Sequence, residues 1–152
     1  MLALRVRARA AGGRAGGLIG DAKFERDLEV VRAGYAAFQR GDLADALAIF
    51  DPDFVLEVHT GRADLPELPV YRGHEGFLEN WRDVTEPFDD VRVELQAAEG
   101  TSERIIATVL MSGRGKASHA PFEIHIYHAW TLRDGIAVRL DIYSSMEEAL
   151  AG

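Results

Sequence analysis

The sequence predicts an α+β domain in which three helices cover one face of a curved β-sheet. Apolar residues recur at helical spacing in the first half of the chain, and they alternate with polar residues in most of the second half. Glycine-containing breaks separate the alternating segments, as expected for an antiparallel meander. Helices followed by such a meander favour the α+β class. We therefore expect a cone-shaped, mixed or antiparallel sheet that encloses a pocket.

Three helices are predicted before the long strands. The first carries an apolar stripe that includes Leu28 and Tyr35. Gly41 suits its end, because glycine adopts a positive φ without a Cβ clash. Asp42 is a suitable N-cap for the second helix, and Pro87 ends the third because proline lacks the helical N–H donor. The predicted helices cover residues 25–40, 43–50 and 73–86.

Five strands are predicted, and the first of them is short. The Asp-Pro-Asp sequence at 51–53 predicts a turn before that strand, and residues 60–70, which contain two prolines, predict a loop after it. The Asp-Gly pair at 134–135 is a strong hairpin signal. Ser145 and Glu148 form a capping box for a last helical turn. The predicted strands cover residues 54–59, 90–98, 103–114, 121–132 and 136–144.

The fourth predicted strand places one histidine among apolar side chains. Its even positions, from Phe122 to Leu132, form a face that is apolar except for His128. One interpretation is a core histidine that hydrogen-bonds a tyrosine, a carboxylate or the backbone. The other is a pocket histidine that works as an acid, a base or a ligand donor, since imidazole titrates near pH 6.5. His125 faces the other side of the strand, so the His-x-x-His spacing predicts no metal site.

The same alternation assigns the remaining strand candidates to a face. Phe54, Leu56 and Val58 are predicted to line the pocket. Glu57 is predicted to point away from it and to pair with an arginine on a neighbouring strand. Asp141 is predicted on the outer face of the last strand, and only a β-bulge would bring it to the pocket as a second acid/base group.

Trp81, Trp130 and Tyr35 are predicted as core aromatics that can also line the pocket, and the tyrosine offers a hydroxyl. The sequence contains neither a glycine-rich phosphate-binding loop nor a G-x-S-x-G motif, and it has no cysteine. These absences argue against nucleotide cofactors, serine hydrolases, thiolate nucleophiles and zinc–thiolate sites. We therefore expect a protein that uses no cofactor.

The charge of the chain is unevenly distributed. Residues 1–20 contain four arginines and no acidic residue, whereas the whole chain has a formal net charge of −8. We interpret residues 1–22 as a basic, Gly/Arg-rich disordered head or a misassigned start; a targeting segment and a functional basic arm are the alternatives. Residues 23–152 are then a single domain. The acidic body disfavours nucleic acid, no apolar run could cross a membrane, and we expect a cytoplasmic protein.

Four segments carry a family resemblance through their order and spacing: YAAFQRGDLADALAIFDPDFVLE, YRGHEGFLENWRD, FDDVRVE and HAWTLRDGIAVRLDIYSSMEEAL. Together they resemble the SnoaL-like branch of the nuclear transport factor two-like superfamily. The resemblance implies the cone-shaped fold and a homodimer formed through the outer face of the sheet. The superfamily contains polyketide cyclases, ketosteroid isomerase, limonene epoxide hydrolase, scytalone dehydratase and noncatalytic binding proteins, so the fold alone does not decide function.

The catalytic positions of ketosteroid isomerase correspond poorly to this sequence. Its proton-shuttling aspartate falls at Val58, and its oxyanion tyrosine falls at Gly34, beside Tyr35. Its second oxyanion donor falls at His128, so one of the three positions is polar. The SnoaL-type cyclases use an aspartate from the last strands, for which Asp141 is the candidate here.

We therefore expect a protein that binds a small apolar molecule. The leading hypothesis is cofactor-free acid/base catalysis, a cyclisation or isomerisation, on an apolar carbonyl compound such as a polyketide or terpenoid. The alternative is a noncatalytic ligand-binding domain or a dimeric interaction domain. The candidate catalytic residues are His128 and Asp141, and no metal ligands are expected. The candidate ligand-binding residues are Tyr35, Phe54, Leu56, Val58, Trp81 and Trp130.

Overall fold

The computed structural model describes residues 5–8, 17–59, 70–100 and 103–152. Helices dominate the first half of these ranges and strands the second half. The elements, in chain order, are β1 (Arg5–Ala8), α1 (Gly17–Gln39), α2 (Leu43–Leu47), β2 (Phe50–His59), β3 (Val70–Arg72), α3 (Gly73–Thr85), β4 (Phe88–Gly100), β5 (Ile105–Gly115), β6 (Pro121–Arg133), β7 (Ile136–Tyr143) and α4 (Met146–Ala151).

The strands of the described ranges form one mixed sheet with the order β1-β4-β5-β6-β7-β2-β3. Strands β4 to β7 form the predicted antiparallel meander. β1 adds to β4 and β2 adds to β7 as parallel neighbours, while β3 pairs with β2 in the antiparallel sense. The predicted α+β class is confirmed, and the long strands and α3 lie within two residues of their predicted bounds.

The apolar face of α1 packs on the inner face of the sheet. Phe24, Leu28 and Val31 are buried there, at the spacing that the sequence predicts for a helix. α3 packs against β2 and β3. A side chain at Gly76 would place its Cβ 2.8 Å from a backbone carbon of Tyr71, so glycine allows α3 to lie directly on β3. The helices and the sheet thus form two layers around a common core.

The N-terminal part of the structure differs from the sequence prediction. β1 and the first residues of α1, which begins at Gly17, fall within the head (1–22) that was predicted to be disordered. Phe24 gives a physical reason for the longer helix, because its ring packs where Gly100 has no side chain. The rest of the head lies outside the described residues.

β2 begins earlier than predicted, since it includes the Asp-Pro-Asp sequence. The carboxylate of Asp51 accepts a hydrogen bond from the backbone N–H of Asp53 at 2.8 Å, and the register with β7 shifts over the same residues. The hydrogen bond within the Asp-Pro-Asp sequence therefore bends the strand and does not reverse the direction of the chain. Residues 60–69 of the predicted loop lie outside the described residues, and Val70 begins β3, which was not predicted.

The last helix, α4, lies on the outer face of the sheet. Ser145 caps it as predicted, accepting a hydrogen bond from the backbone N–H of Glu148 at 3.2 Å. Ala149 packs in a small apolar cluster with Ile106 and Tyr143, so the chain itself covers part of the outer face. Of the helices in the described ranges, none is both long and apolar enough to cross a membrane.

Candidate functional site

A cavity of about 230 Å³ lies between the helices α1 to α3 and the inner face of the sheet. The strands contribute alternate residues, as the period of two requires. β6 contributes Ile126, His128 and Trp130, and β7 contributes Leu140 and Ile142. These are the side chains that the alternation in the sequence assigns to the inner face.

Most of the predicted ligand-binding residues line this cavity, and one does not. Phe54 is fully buried behind Phe50, and their two rings stack with centroids 4.5 Å apart. The prediction for Phe54 is therefore corrected: the bend in β2 places Phe50 at the wall and Phe54 in the core behind it. The residues that line the cavity as predicted are Tyr35, Leu56, Val58, Trp81 and Trp130.

Three polar groups from α1 and β6 meet at one wall of the cavity. The hydroxyl of Tyr35 lies 2.6 Å from Nδ1 of His128 and 2.9 Å from Nε1 of Trp130, which donates to it. His128 and Trp130 are two residues apart on one strand and so face the same side. All three residues are buried. We call Tyr35, His128 and Trp130 the wall network.

Burial keeps the wall network neutral at neutral pH. It lowers the pKa of His128 to about 4, because a charged imidazole loses its hydration there. Burial also raises the pKa of Tyr35, and this effect exceeds the opposite effect of the hydrogen bond from Trp130. His128 combines features of both interpretations, since it lines a cavity while Nδ1 is held by a core tyrosine.

The rest of the cavity wall is almost entirely apolar. Among the described residues that line it there is no aspartate, glutamate, lysine or arginine. Asn80, a buried polar residue of α3, also lines the cavity and was not among the predicted site residues. Its position was visible in the sequence, because it lies between the aromatic residues Phe77 and Trp81, which are four residues apart on one face of the helix. Phe50 was not predicted to line the wall either.

A second group of polar residues lies on the opposite face of the sheet. Arg139 donates two hydrogen bonds to the carboxylate of Asp141, at 2.8 and 2.9 Å, and one to the carboxylate of Glu57. His59 lies 2.8 Å from the same carboxylate of Asp141 through Nε2. We call Glu57, His59, Arg139 and Asp141 the outer cluster. It confirms the predicted pairing of Glu57 with an arginine of a neighbouring strand.

The outer cluster corrects the assignment of Asp141 as a catalytic candidate in the pocket. Its neighbours Leu140 and Ile142 line the cavity, so Asp141 faces away from it. Burial raises the pKa of Asp141, but the hydrogen bonds from Arg139 and His59 outweigh that effect, and the pKa lies below its ordinary value. Asp141 is thus an ionised carboxylate that is paired on the outer face of the sheet.

The outer cluster also brings together groups that could ligate a metal. One ligand atom each from Glu57, His59 and Asp141 lies within 4.8 Å of the other two. The sequence did not predict this group, because its residues come from two strands, β2 and β7, that are distant along the chain and become neighbours in the folded sheet. Arg139 pairs with both carboxylates, and its single positive charge compensates half of their combined charge.

The fold is similar to that of several solved structures. The crystal structure of TerC co-crystallised with polyporic acid is similar with a TM-score of 0.67 and 20% identity, covering 84% of this chain and 99% of TerC. A loop-truncation variant of IdmH is similar with a TM-score of 0.63 and 26% identity, covering 82% of this chain and 97% of the variant. A candidate polyketide cyclase from Xanthomonas campestris pv. campestris is similar with a TM-score of 0.58 and 21% identity, covering 84% and 96%.

No curated protein sequence matches the chain significantly. The SnoaL-like domain family, however, matches residues 31–140, from the middle of α1 to the seventh strand. This match covers most of the chain, and the matching solved structures include proteins described as NTF2-like. Its fold is similar to that of proteins described as NTF2-like, and the protein belongs to the SnoaL-like domain family.

Proposed function

We propose that the protein binds a small, largely apolar molecule with a carbonyl group in its cavity and catalyses a cofactor-free cyclisation of that molecule. The wall network carries this proposal, because it is a neutral polar group in an enclosure that is apolar apart from Asn80. Apolar walls supply affinity through burial, and a few placed polar groups orient the ligand. The complex of TerC with polyporic acid supports a ligand of this general kind.

The cavity favours cyclisation over isomerisation, because walls that hold a ligand in a folded conformation accelerate an attack within that ligand, whereas isomerisation gains nothing from folding. Both reactions first remove a proton from carbon, and the described lining residues include no carboxylate, so this proton passes to water or hydroxide from solution. The resulting enolate carbon attacks the second carbonyl, and a new C–C bond replaces the π bond of that carbonyl. A hydrogen bond from the wall stabilises the negative charge on the oxygen until water returns a proton to it.

Binding can be tested with an apolar aryl ketone, 2-acetylnaphthalene, by isothermal titration calorimetry. Val58→Phe fills the cavity and should abolish binding, because Val58 lines the wall. Val55→Phe is the matched control, since Val55 lies on the same strand but not in the wall. Equal binding by the two variants, or no binding by the parent protein, would overturn the proposal.

Catalysis can be tested with heptane-2,6-dione, a diketone that closes by an intramolecular aldol reaction. We expect His128→Phe, which removes the donor, to lower the rate by about 10²–10⁴-fold, the usual contribution of one placed proton-donating or polarising group. His125→Phe is the control, because His125 is exposed on the opposite face of the same strand. Equal rates in the two variants would remove His128 from the mechanism.

A noncatalytic binding protein is the second candidate function. The observation that favours it is the missing carboxylate among the described lining residues, which leaves the wall network without an acid/base partner. Binding of 2-acetylnaphthalene together with a parent rate for heptane-2,6-dione equal to that in buffer would decide for this candidate.

Dimerisation through the outer face of the sheet stays a prediction. α4 covers part of that face, and the outer cluster occupies another part of it. Size-exclusion chromatography with light scattering distinguishes the two states, and a monomeric mass across the concentration range would contradict the prediction.

A further inference from the structure

The wall network has a defined direction of hydrogen bonding. The indole N–H of Trp130 can only donate, so the hydroxyl oxygen of Tyr35 accepts at 2.9 Å. Tyr35 then has its own proton to donate. Its other hydrogen-bonding neighbour among the described residues is Nδ1 of His128, at 2.6 Å.

The direction of these bonds determines the tautomer of His128. If Tyr35 donates to Nδ1, that nitrogen carries no proton, and the proton of a neutral imidazole is on Nε2. The other tautomer would direct two donors at the oxygen of Tyr35 and leave its buried hydroxyl proton without an acceptor among the described residues.

Nε2 is the ring nitrogen that remains for a ligand. It forms no hydrogen bond with a described residue, and it is not among the fully buried polar atoms that lack a partner. His128 lines the cavity, and its other nitrogen is already occupied by Tyr35.

We propose that Tyr35 and Trp130 are positioning residues that hold His128 as the Nε2–H tautomer, so that the cavity presents a neutral hydrogen-bond donor and selects ligands with an acceptor oxygen at that point. The proposal rests on the proposed function for its ligand, but the tautomer is a property of the free protein. It also assigns Tyr35 a different role from the direct ligand contact that the sequence suggested, because its hydroxyl is used twice within the protein.

The position of His128 supports a donor that stays neutral. Burial lowers its pKa to about 4, so at neutral pH the ring is not an imidazolium. With its proton on Nε2, the ring donates to a ligand oxygen and cannot accept a proton from the ligand at the same atom. The group therefore favours ketones and related acceptors over ligands that can only donate.

The first experiment is ¹⁵N NMR of the full chain labelled at histidine, without ligand, at pH 7. The chemical shifts of protonated and unprotonated ring nitrogens differ, and the signals of His128 are those that disappear in His128→Gln. We expect a protonated Nε2 and an unprotonated Nδ1. A protonated Nδ1 in the parent protein would overturn the proposal.

Variants test whether the two partners determine the tautomer. Trp130→Phe removes the indole donor but keeps an aromatic ring, and Tyr35→Phe removes the hydroxyl; each should give a mixture of the two tautomers. Trp81→Phe is the control, since Trp81 lines the same cavity without belonging to the wall network, and it should leave the tautomer unchanged. If Tyr35→Phe does not fold, Trp130→Phe and the parent spectrum still decide the question. An unchanged tautomer in Trp130→Phe would overturn the role of Trp130.

The second experiment compares two ligands of the same shape, 2-acetylnaphthalene and 2-isopropenylnaphthalene, which has a methylene group in place of the carbonyl oxygen. We expect the parent protein to bind the ketone about three- to tenfold more tightly, as one net hydrogen bond allows, and His128→Phe to lose this preference. Equal affinities in the parent protein would overturn the donor role while leaving apolar binding intact. An Nε2–H tautomer with no binding of either ligand would instead contradict the proposed function.

Discussion

The buried state of His128 predicts a specific loss of stability in mild acid. The pKa of its imidazole is lowered from 6.5 to about 4 by burial. Above pH 6.5 the ring is neutral in the folded and the unfolded chain, so it contributes no pH dependence. Between pH 6.5 and 4 the unfolded chain binds a proton at this site while the folded chain does not, and the free energy of unfolding falls.

The size of this loss follows from the two pKa values. Each pKa unit corresponds to about 1.4 kcal/mol, so the contribution is about 2 kcal/mol at pH 5 and about 3 kcal/mol at pH 4. The described residues of the cavity wall include no carboxylate that could offset it by pairing with a charged imidazole. Tyr35, the titratable group in contact with His128, is itself kept neutral by burial.

The assay is urea unfolding at steps from pH 7.5 to 4.5, with His128→Gln and His125→Gln measured in parallel. The other groups are common to the parent protein and His128→Gln, so the difference between these two curves reports His128. The parent protein and His125→Gln should lose stability more steeply below pH 6.5 than His128→Gln. Parallel curves for the parent and His128→Gln would refute the reasoning that His128 is buried and neutral.

Four further substitutions test the core, the contact of α3 with β3 and the outer cluster. Phe54→Ala should lower the free energy of unfolding by about 3–5 kcal/mol, because the ring is fully buried; its effect on affinity for 2-acetylnaphthalene should be smaller, since Phe54 does not line the cavity. Gly76→Ala should lower the free energy of unfolding by about 1–3 kcal/mol, because the new Cβ would clash with the backbone of β3. A strand backbone moves less easily than the end of a flexible side chain. Arg139→Met should cost about 1–3 kcal/mol by leaving the buried carboxylate of Asp141 without its bidentate partner, whereas Glu57→Gln should cost less than about 1 kcal/mol, since Glu57 is half exposed.

Urea unfolding at pH 7 measures the changes in stability, and isothermal titration calorimetry measures the affinity of Phe54→Ala. If Phe54→Ala is folded but no longer binds 2-acetylnaphthalene, Phe54 forms part of the cavity wall. A stable Gly76→Ala variant would mean that α3 can move away from β3. Equal costs for Arg139→Met and Glu57→Gln would contradict the central position of Arg139 in the outer cluster.

Strand alternation was sufficient to assign most of the site residues to a face. Consecutive side chains of a strand point to opposite sides whatever the neighbouring strands are. The face of His128 and Trp130 in β6, and the pairing of Glu57 with an arginine, could therefore be predicted from the residues themselves. The same reasoning placed Asp141 on the outer face.

Two properties of the site could not be predicted in this way. Phe54 has the right alternation for the cavity, but the bend in β2 brings Phe50 in front of it. Tyr35 has the right helical position for the core, but its partner is 93 residues away along the chain. Neither a bend inside a strand nor a contact between distant elements leaves a periodic pattern in the sequence.

The α+β class, the order of the long elements and the faces of most side chains follow from the residues alone, because these depend on the backbone geometry of one element at a time. Tertiary packing, in contrast, is what joins the hydroxyl of Tyr35 to His128 and Trp130, and Arg139 to Glu57 and Asp141. A hydrogen bond requires two atoms within about 3 Å, and that distance depends on how α1 packs on the sheet and on which strands become neighbours. The sequence therefore predicts which faces these side chains occupy, and the packing of α1 on the sheet brings them into hydrogen-bonding distance.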